Sequence, residues 1–192
     1  MQEQFQTLSK IISGRRTIKP AQMNGAAIED STIEKLIALA DWAPTHGRTE
    51  PWRFYIWGGE KVAAFCKDHA DIKRAANPEL TEEAYNNLMH MGDKSSHVLI
   101  AVIRRGDLPK IPAFEETAAT AAAIQNLLLG AESLSIAAYW GTGGSVLQPE
   151  MKSYLNLREE DHVIGALYLG YSDEPAKEGL RKTPLAEKMI WF

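Results

Sequence analysis

Six consecutive residues, Val98-Leu99-Ile100-Ala101-Val102-Ile103, carry no polar side chain. A largely β-branched run of this kind offers no face to water, so it reads as a strand buried on both sides. The rest of the chain has to supply its cover. The strongest candidate is Phe114 to Ser135, rich in Ala and Leu and poor in charge after Glu116. It reads as a central, largely buried helix. Gln125 and Asn126 lie inside it, and buried amides need partners. They either brace a neighbouring loop or face a ligand.

The remaining segments alternate in type. Phe5, Leu8, Ile11 and Ile12 recur at helical spacing, giving a short amphipathic helix over residues 2–12 that Gly14 can end. Residues 21–30 read as a loop. Ser31-Thr32-Ile33-Glu34 has the form of a capping box with Ser31 as cap. It opens a helix whose apolar face is Ile33, Leu36, Ile37, Ala40 and Ala43, ending at Pro44. Trp52 to Trp57 alternates as a strand closed by Gly58-Gly59. Glu60 to Ala75 is helical with Val62, Phe65 and Cys66 inward, Asn77-Pro78 breaks it, and Thr81 to Met91 is a further helix. Ile136 to Tyr139 is a short strand, Pro149 to Leu155 a short helix, and Val163 to Tyr171 a last core strand. Strands separated by helices indicate one α+β domain with a central sheet, spanning residues 1–192. Residues 172–192 are polar until Ile190-Trp191-Phe192. Large aromatics are costly to leave in water, so this end is expected to dock, on its own subunit or on a partner.

Charge and composition exclude several functions. The formal net charge of −4 argues against a nucleic-acid binder working through a basic face. A lone Cys66 excludes an internal disulfide and a cysteine-based metal cluster, and fits a reducing compartment. The first residues are polar and amphipathic, unlike a secretory signal. The run from Ala118 to Gly130 is broken by Thr120, Gln125 and Asn126 and is too short for a bilayer. The chain therefore reads as cytoplasmic, with neither nucleic acid nor membrane as partner. His69 and His90 have no acidic partner at ligand spacing and read as surface or packing residues. A full dinucleotide fingerprint, a P-loop, a nucleophile elbow and a recognisable Ser/His/Asp or Cys/His set are all absent.

Three polar stretches remain. Arg15-Arg16-Thr17-Ile18-Lys19 offers guanidinium forks and a hydroxyl to an anion, or is a solvated basic turn. Trp140-Gly141-Thr142-Gly143-Gly144 lets backbone amides approach an anion closely, or is only a turn. Between Trp42 and Phe54 lie Thr45, His46, Gly47, Arg48 and Glu50, on a helix-to-strand loop of the kind where sites sit.

In this order these stretches resemble the short-chain branch of the nitroreductase family of flavoproteins. The resemblance rests on Arg15-Arg16-Thr17, on Ala43-Pro44-Thr45-His46 followed by Glu50-Pro51-Trp52-Arg53-Phe54, on Gln125-Asn126 with Ser135 to Trp140, and on Gly165 to Gly170. It covers nearly the whole chain. It implies an α+β fold with a central, mainly antiparallel sheet flanked by helices, binding FMN without a covalent link. It implies a homodimer with two flavin sites at the interface, each built from both chains, with residues 172–192 packing on the partner. Arg15, Arg16 and Thr17 match the phosphate contacts, and Lys19 a cation near the pyrimidine edge of the flavin. Thr45, His46 and Arg48 match the loop along the flavin. Trp140, Gly141 and Thr142 match the turn that completes the site, and Arg181 a late basic residue reaching the phosphate.

The activity implied is NAD(P)H oxidation with ping-pong reduction of nitroaromatics, quinones or similar acceptors. No side chain needs a catalytic role, because the flavin carries the redox step. The alternatives are a flavin-storage protein without turnover, or a reductive dehalogenase or enone reductase of the same family. Two departures stand out. Glu50 and Arg48 replace the usual neutral amides; an ionised Glu50 near the flavin would oppose the charge of its reduced form, Arg48 would favour it, and the two can pair. Gly141 stands where relatives can carry Arg.

Overall fold

His97–Ile103 (β2) is buried at every position, as its composition requires. It lies inside a four-stranded sheet in which Trp52–Gly58 (β1) and Ala137–Gly141 (β3) are the edges and His162–Gly170 (β4) is the other central strand, in the order β1-β2-β4-β3. All three pairings are antiparallel. The computed structural model describes residues 2–108, 110–175 and 177–192.

Six helices accompany the sheet: Gln2–Gly14 (α1), Asp30–Ala40 (α2), Lys61–Ala76 (α3), Glu82–Met89 (α4), Ala113–Ser133 (α5) and Pro149–Tyr154 (α6). Alternate side chains of the strands feed two cores. On one face Leu99, Ala101, Leu167 and Leu169 pack with Leu36 of α2 and Ile124 and Leu127 of α5. On the other, Val98, Ile100, Ala166 and Tyr168 pack with Phe65 and Cys66 of α3 and Met151 of α6. With both faces covered, the central strands can dispense with polar side chains. The expected α+β fold with an antiparallel sheet is therefore the observed one.

Two details differ from the sequence reading. α2 starts at Asp30, with Glu29 as its cap and no side-chain capping bond. The Glu29 carbonyl already accepts from Thr32 N–H (2.8 Å) and Ile33 N–H (3.3 Å), so Ser31 lies inside the first turn. Asp30 instead faces His97, accepting from its Nε2 at 3.1 Å. The strand expected to end at Tyr139 runs on to Gly141. Of the α5 amides, Asn126 braces a neighbour, donating to the Leu39 carbonyl (3.3 Å), and Gln125 is exposed.

The ends of the chain leave apolar surface open. α1 has no buried residue, and Phe5, Leu8 and Ile12 are half or more exposed. Trp42 and Phe114 are exposed, and so are Ile190, Trp191 and Phe192. The aromatic terminus does not dock on its own chain. No helix among the described residues is long and apolar enough to cross a membrane, and no metal-binding group of three His, Cys, Asp or Glu occurs among them.

Candidate functional site

The expected site residues fall into two groups. The first lies along β3. After α1, the chain forms a parallel bridge between Thr17 and Ala138, with Ile18 N–H donating to the Ala138 carbonyl at 3.0 Å. That register sets Lys19 level with Trp140, so the basic segment and the glycine turn are neighbours. Arg15 is half-buried, and its guanidinium meets no acceptor among the described residues. Arg16 is differently placed. Its guanidinium donates to the carbonyls of Ser13 (2.7 Å), Arg15 (2.9 Å) and Lys177 (2.9 Å), so it fastens the start of the tail to the end of α1. Lys19 lines a hollow of about 500 Å³ with Asn87, His90, Met91, Lys94 and Tyr139. Sequence reasoning did not collect Asn87, His90 and Lys94: the first two fall in the helix read over Thr81 to Met91, where His90 read as a surface or packing residue, and Lys94 lies beyond it.

At the end of β3, Trp140 is held in one orientation. A β-bulge between Ala101 and Val102 leaves Ile164 of β4 out of register. The Trp140 indole N–H donates to the carbonyl of that residue at 3.2 Å. The ring lies over Gly165, where any Cβ would overlap it. Bulges of this kind re-aim a side chain at a sheet rim. Gly141 also has a packing reason: a Cβ there would overlap the Tyr139 ring, so a larger residue would require that ring to move. Beyond it, the backbone N–H groups of Thr142, Gly143 and Gly144 find no acceptor among the described residues, and Thr142 and Gly143 face solvent. Arg15 and Thr17 offer donors suited to a phosphate monoester, and the unpaired amides of 142–144 lie farther along β3, past Trp140, which is level with Lys19.

The second group is the loop between α2 and β1. Trp52 donates to Asp41 (2.9 Å) and closes the loop at its base. Inside, the Thr45 hydroxyl bonds Thr49 (3.0 Å) and accepts from Glu50 N–H (3.3 Å). Gly47, Arg48 and Glu50 all sit in the left-handed region, at φ 60°, 55° and 42°. For the two with side chains this costs of order 1–3 kcal/mol each, and such strain gathers at functional sites. His46 donates from Nδ1 to Glu115 of α5 at 2.6 Å, and the two border a hollow of about 330 Å³ with Pro44, Thr45 and Phe114. Arg48 and Glu50 are exposed, and no ion pair joins them among the described residues. The carbonyl of Glu50 is held instead by Arg53 (2.8 Å).

A buried charge network props this loop from behind. Glu116, 2% exposed, accepts from Arg105 and from Gly106 N–H (3.0 Å). Arg158 forks onto Asp161 at 2.8 and 3.1 Å, and Asp161 accepts from Arg105 N–H at 3.0 Å. Burial works to raise the Asp161 carboxyl, but Arg158 and the backbone N–H groups of Arg105 and Arg158 outweigh it and hold it below its ordinary value. The loop braced in this way meets Thr49 through Gly106 and Gly47 through Leu108 and Ile111.

Within one chain the two groups do not meet. The loop precedes β1 and the cradle flanks β3, the opposite edges of the sheet. Three strand spacings separate them, about 14 Å. Arg181 joins neither: it is exposed, and among the described residues it donates only to the carbonyl of Leu180 (3.1 Å).

The sequence profile of the Nitroreductase family matches residues 12–171. A Bacillus subtilis (strain 168) protein named "Putative NAD(P)H nitroreductase YfhC" is 27% identical over 186 residues, 96% of this chain and 94% of that protein. Among solved structures, a nitroreductase-like family protein from Bacillus cereus superposes with a TM-score of 0.83 at 25% identity, covering 96% of this chain and 95% of that one. The FMN-dependent nitroreductase NfnB from Mycobacterium smegmatis, solved in complex with NADPH, has the same fold with a TM-score of 0.74 at 16% identity, covering 97% and 98%.

Proposed function

Because this chain belongs to the nitroreductase family, we propose that it is a cytoplasmic, FMN-dependent oxidoreductase that oxidises NAD(P)H and reduces nitroaromatics, quinones or related electron-poor acceptors. The observation that carries the reading is the basic segment along β3, where Arg15, without an acceptor among the described residues, Thr17 and Lys19 run parallel to the strand that leads through Trp140 into the glycine turn. The site is that of a homodimer. The loop carrying Thr45, His46 and Arg48 comes from one chain and completes the cradle of the other, which accounts for their separation within a chain. The open faces of α1 and of residues 180–192 are the surfaces a second copy would cover, with Arg181 carried toward the partner.

Bound at the cradle, FMN would supply the redox step, taking hydride from NAD(P)H and giving it to the acceptor in a ping-pong cycle. The chain's own residues bind and orient. Arg15 and Thr17 hold the phosphate, the turn from Trp140 to Thr142 completes the cofactor site, and Lys19 stands by the hollow it shares with Tyr139. Trp140 gives a fixed apolar wall, and His46 presents its free ring edge because Glu115 holds the other. Rapid mixing under anaerobic conditions tests the reading. NADPH or NADH should bleach the flavin band, and a nitroaromatic or quinone should restore it. A flavin-loaded protein that neither nicotinamide bleaches would be a storage protein.

A further inference from the structure

Away from β3, a hollow of about 270 Å³ opens where β1 begins and β2 ends. Arg53 of β1, Arg104 just past β2 and Arg158 after α6 all line it. Arg53 is paired with Val102, and Arg104 N–H donates to the Pro51 carbonyl at 2.7 Å, so the antiparallel register carries on past the end of β2. Val102 and Arg104, two positions apart, share a face. Arg53 and Arg104 are therefore diagonal neighbours on one side of the sheet, with backbones about 7–8 Å apart. Two like charges so placed repel. Arg158 is answered by Asp161, which it grips as a fork, and by Glu160 at 3.2 Å. Neither Arg53 nor Arg104 pairs with a carboxylate among the described residues. Arg53 directs Nη1 to the carbonyls of Glu50 (2.8 Å) and Trp52 (2.7 Å), and its Nε and Nη2 meet no acceptor among the described residues. Asn156 adds a side-chain amide to the same hollow.

We propose that this hollow takes the 2′-phosphate of the reductant, the group that NADPH carries and NADH lacks, and that Arg53 and Arg104 thereby set a preference for NADPH. The proposal rests on the NAD(P)H reading above. A phosphate monoester carries close to two negative charges at neutral pH, and a guanidinium fork meets two of its oxygens at once. Such a group answers both unpaired guanidiniums. The hollow also adjoins the loop of His46, because Arg53 holds that loop's end through Glu50. In the homodimer proposed above the loop borders the partner's flavin. A dinucleotide with its nicotinamide at the flavin then has its adenosine end at this rim.

Calorimetric titration of the FMN-loaded protein with 2′-phospho-ADP-ribose and with ADP-ribose tests this, since the two differ only in the 2′-phosphate and neither can reduce the flavin. The phosphorylated ligand should bind roughly tenfold tighter or more, the size of one charge-assisted hydrogen bond. Arg104→Gln, a change at an exposed position, should remove most of that gap and leave ADP-ribose binding as it was. Arg104→Lys, which keeps the charge, should restore part of it. At constant ionic strength, inorganic phosphate should compete with 2′-phospho-ADP-ribose and not with ADP-ribose. Equal affinities in the wild type would overturn the proposal. So would a gap that survives Arg104→Gln, or a variant that weakens both ligands alike. Anaerobic bleaching by NADPH and NADH, run beside the titration, keeps the two readings apart. Equal bleaching by both, with no 2′-phosphate preference, overturns this proposal and leaves the reductase reading standing. Bleaching by neither removes the reductase reading, and the assignment to the reductant falls with it.

Discussion

Arg15 and Arg16 stand side by side in the sequence and do different work. Arg16 directs its donors to three carbonyls of its own chain, whereas the Arg15 guanidinium meets no acceptor among the described residues. Replacing Arg15 with Ala should weaken FMN binding by about 1.5–3 kcal/mol, roughly 10- to 150-fold, as a charge-assisted bond is lost. Arg16→Ala should act mainly on the attachment of residues 177–179. Fluorescence titration of both variants checks this, and equal losses would contradict the division. His69 gives a second prediction at this scale. In the unfolded chain it protonates near 6.5, and in the folded chain only near pH 4, because it is buried. Between those values the unfolded state binds more protons, so stability is fully present above pH 6.5 and declines as pH falls toward 4. The span is worth ~3 kcal/mol. Urea unfolding at pH 7 and pH 4.5 should show a smaller loss for His69→Gln than for the wild type, and equal losses would remove His69 as the cause.

Among elements, the loop between α2 and β1 depends on a partner loop far away in sequence. Glu116 is the post: it is buried, and it ties Arg105 and Gly106 beneath Thr49. Breaking a buried pair leaves the other charge uncompensated, which costs about 3–5 kcal/mol. Arg105 retains some exposure, so Glu116→Ala should sit near the lower end, about 3 kcal/mol, or a fall in Tm of roughly 6–12 °C. A thermal melt within a degree or two of wild type would show that the loop stands without it. The strands and long helices were legible in the sequence, because their periodicity is set by burial on a sheet covered on both faces. The site was legible only as short polar stretches. Glu115 meets His46 across 69 positions and His69 meets Ser145 across 76, and no local pattern encodes a contact at that range. The capping box at Ser31 misled because Glu29 and Asp30 start the helix earlier.

For the whole molecule, the central claim is that one flavin site is assembled from two chains. It rests on the separation of the basic cradle from the His46 loop by the full width of the sheet. It rests also on the open apolar faces of α1 and of the C-terminal segment, where Trp191 is 88% exposed. Burying each large side chain contributes about 1.5–3 kcal/mol, so a second copy covering several of them has ample driving force. Sedimentation velocity of the FMN-loaded protein, followed at a wavelength only the flavin absorbs, tests the claim most directly. The flavin should travel with a species of twice the 21.3 kDa chain mass, at one FMN per chain. Flavin that stays free, or that sediments with a single chain, would contradict it.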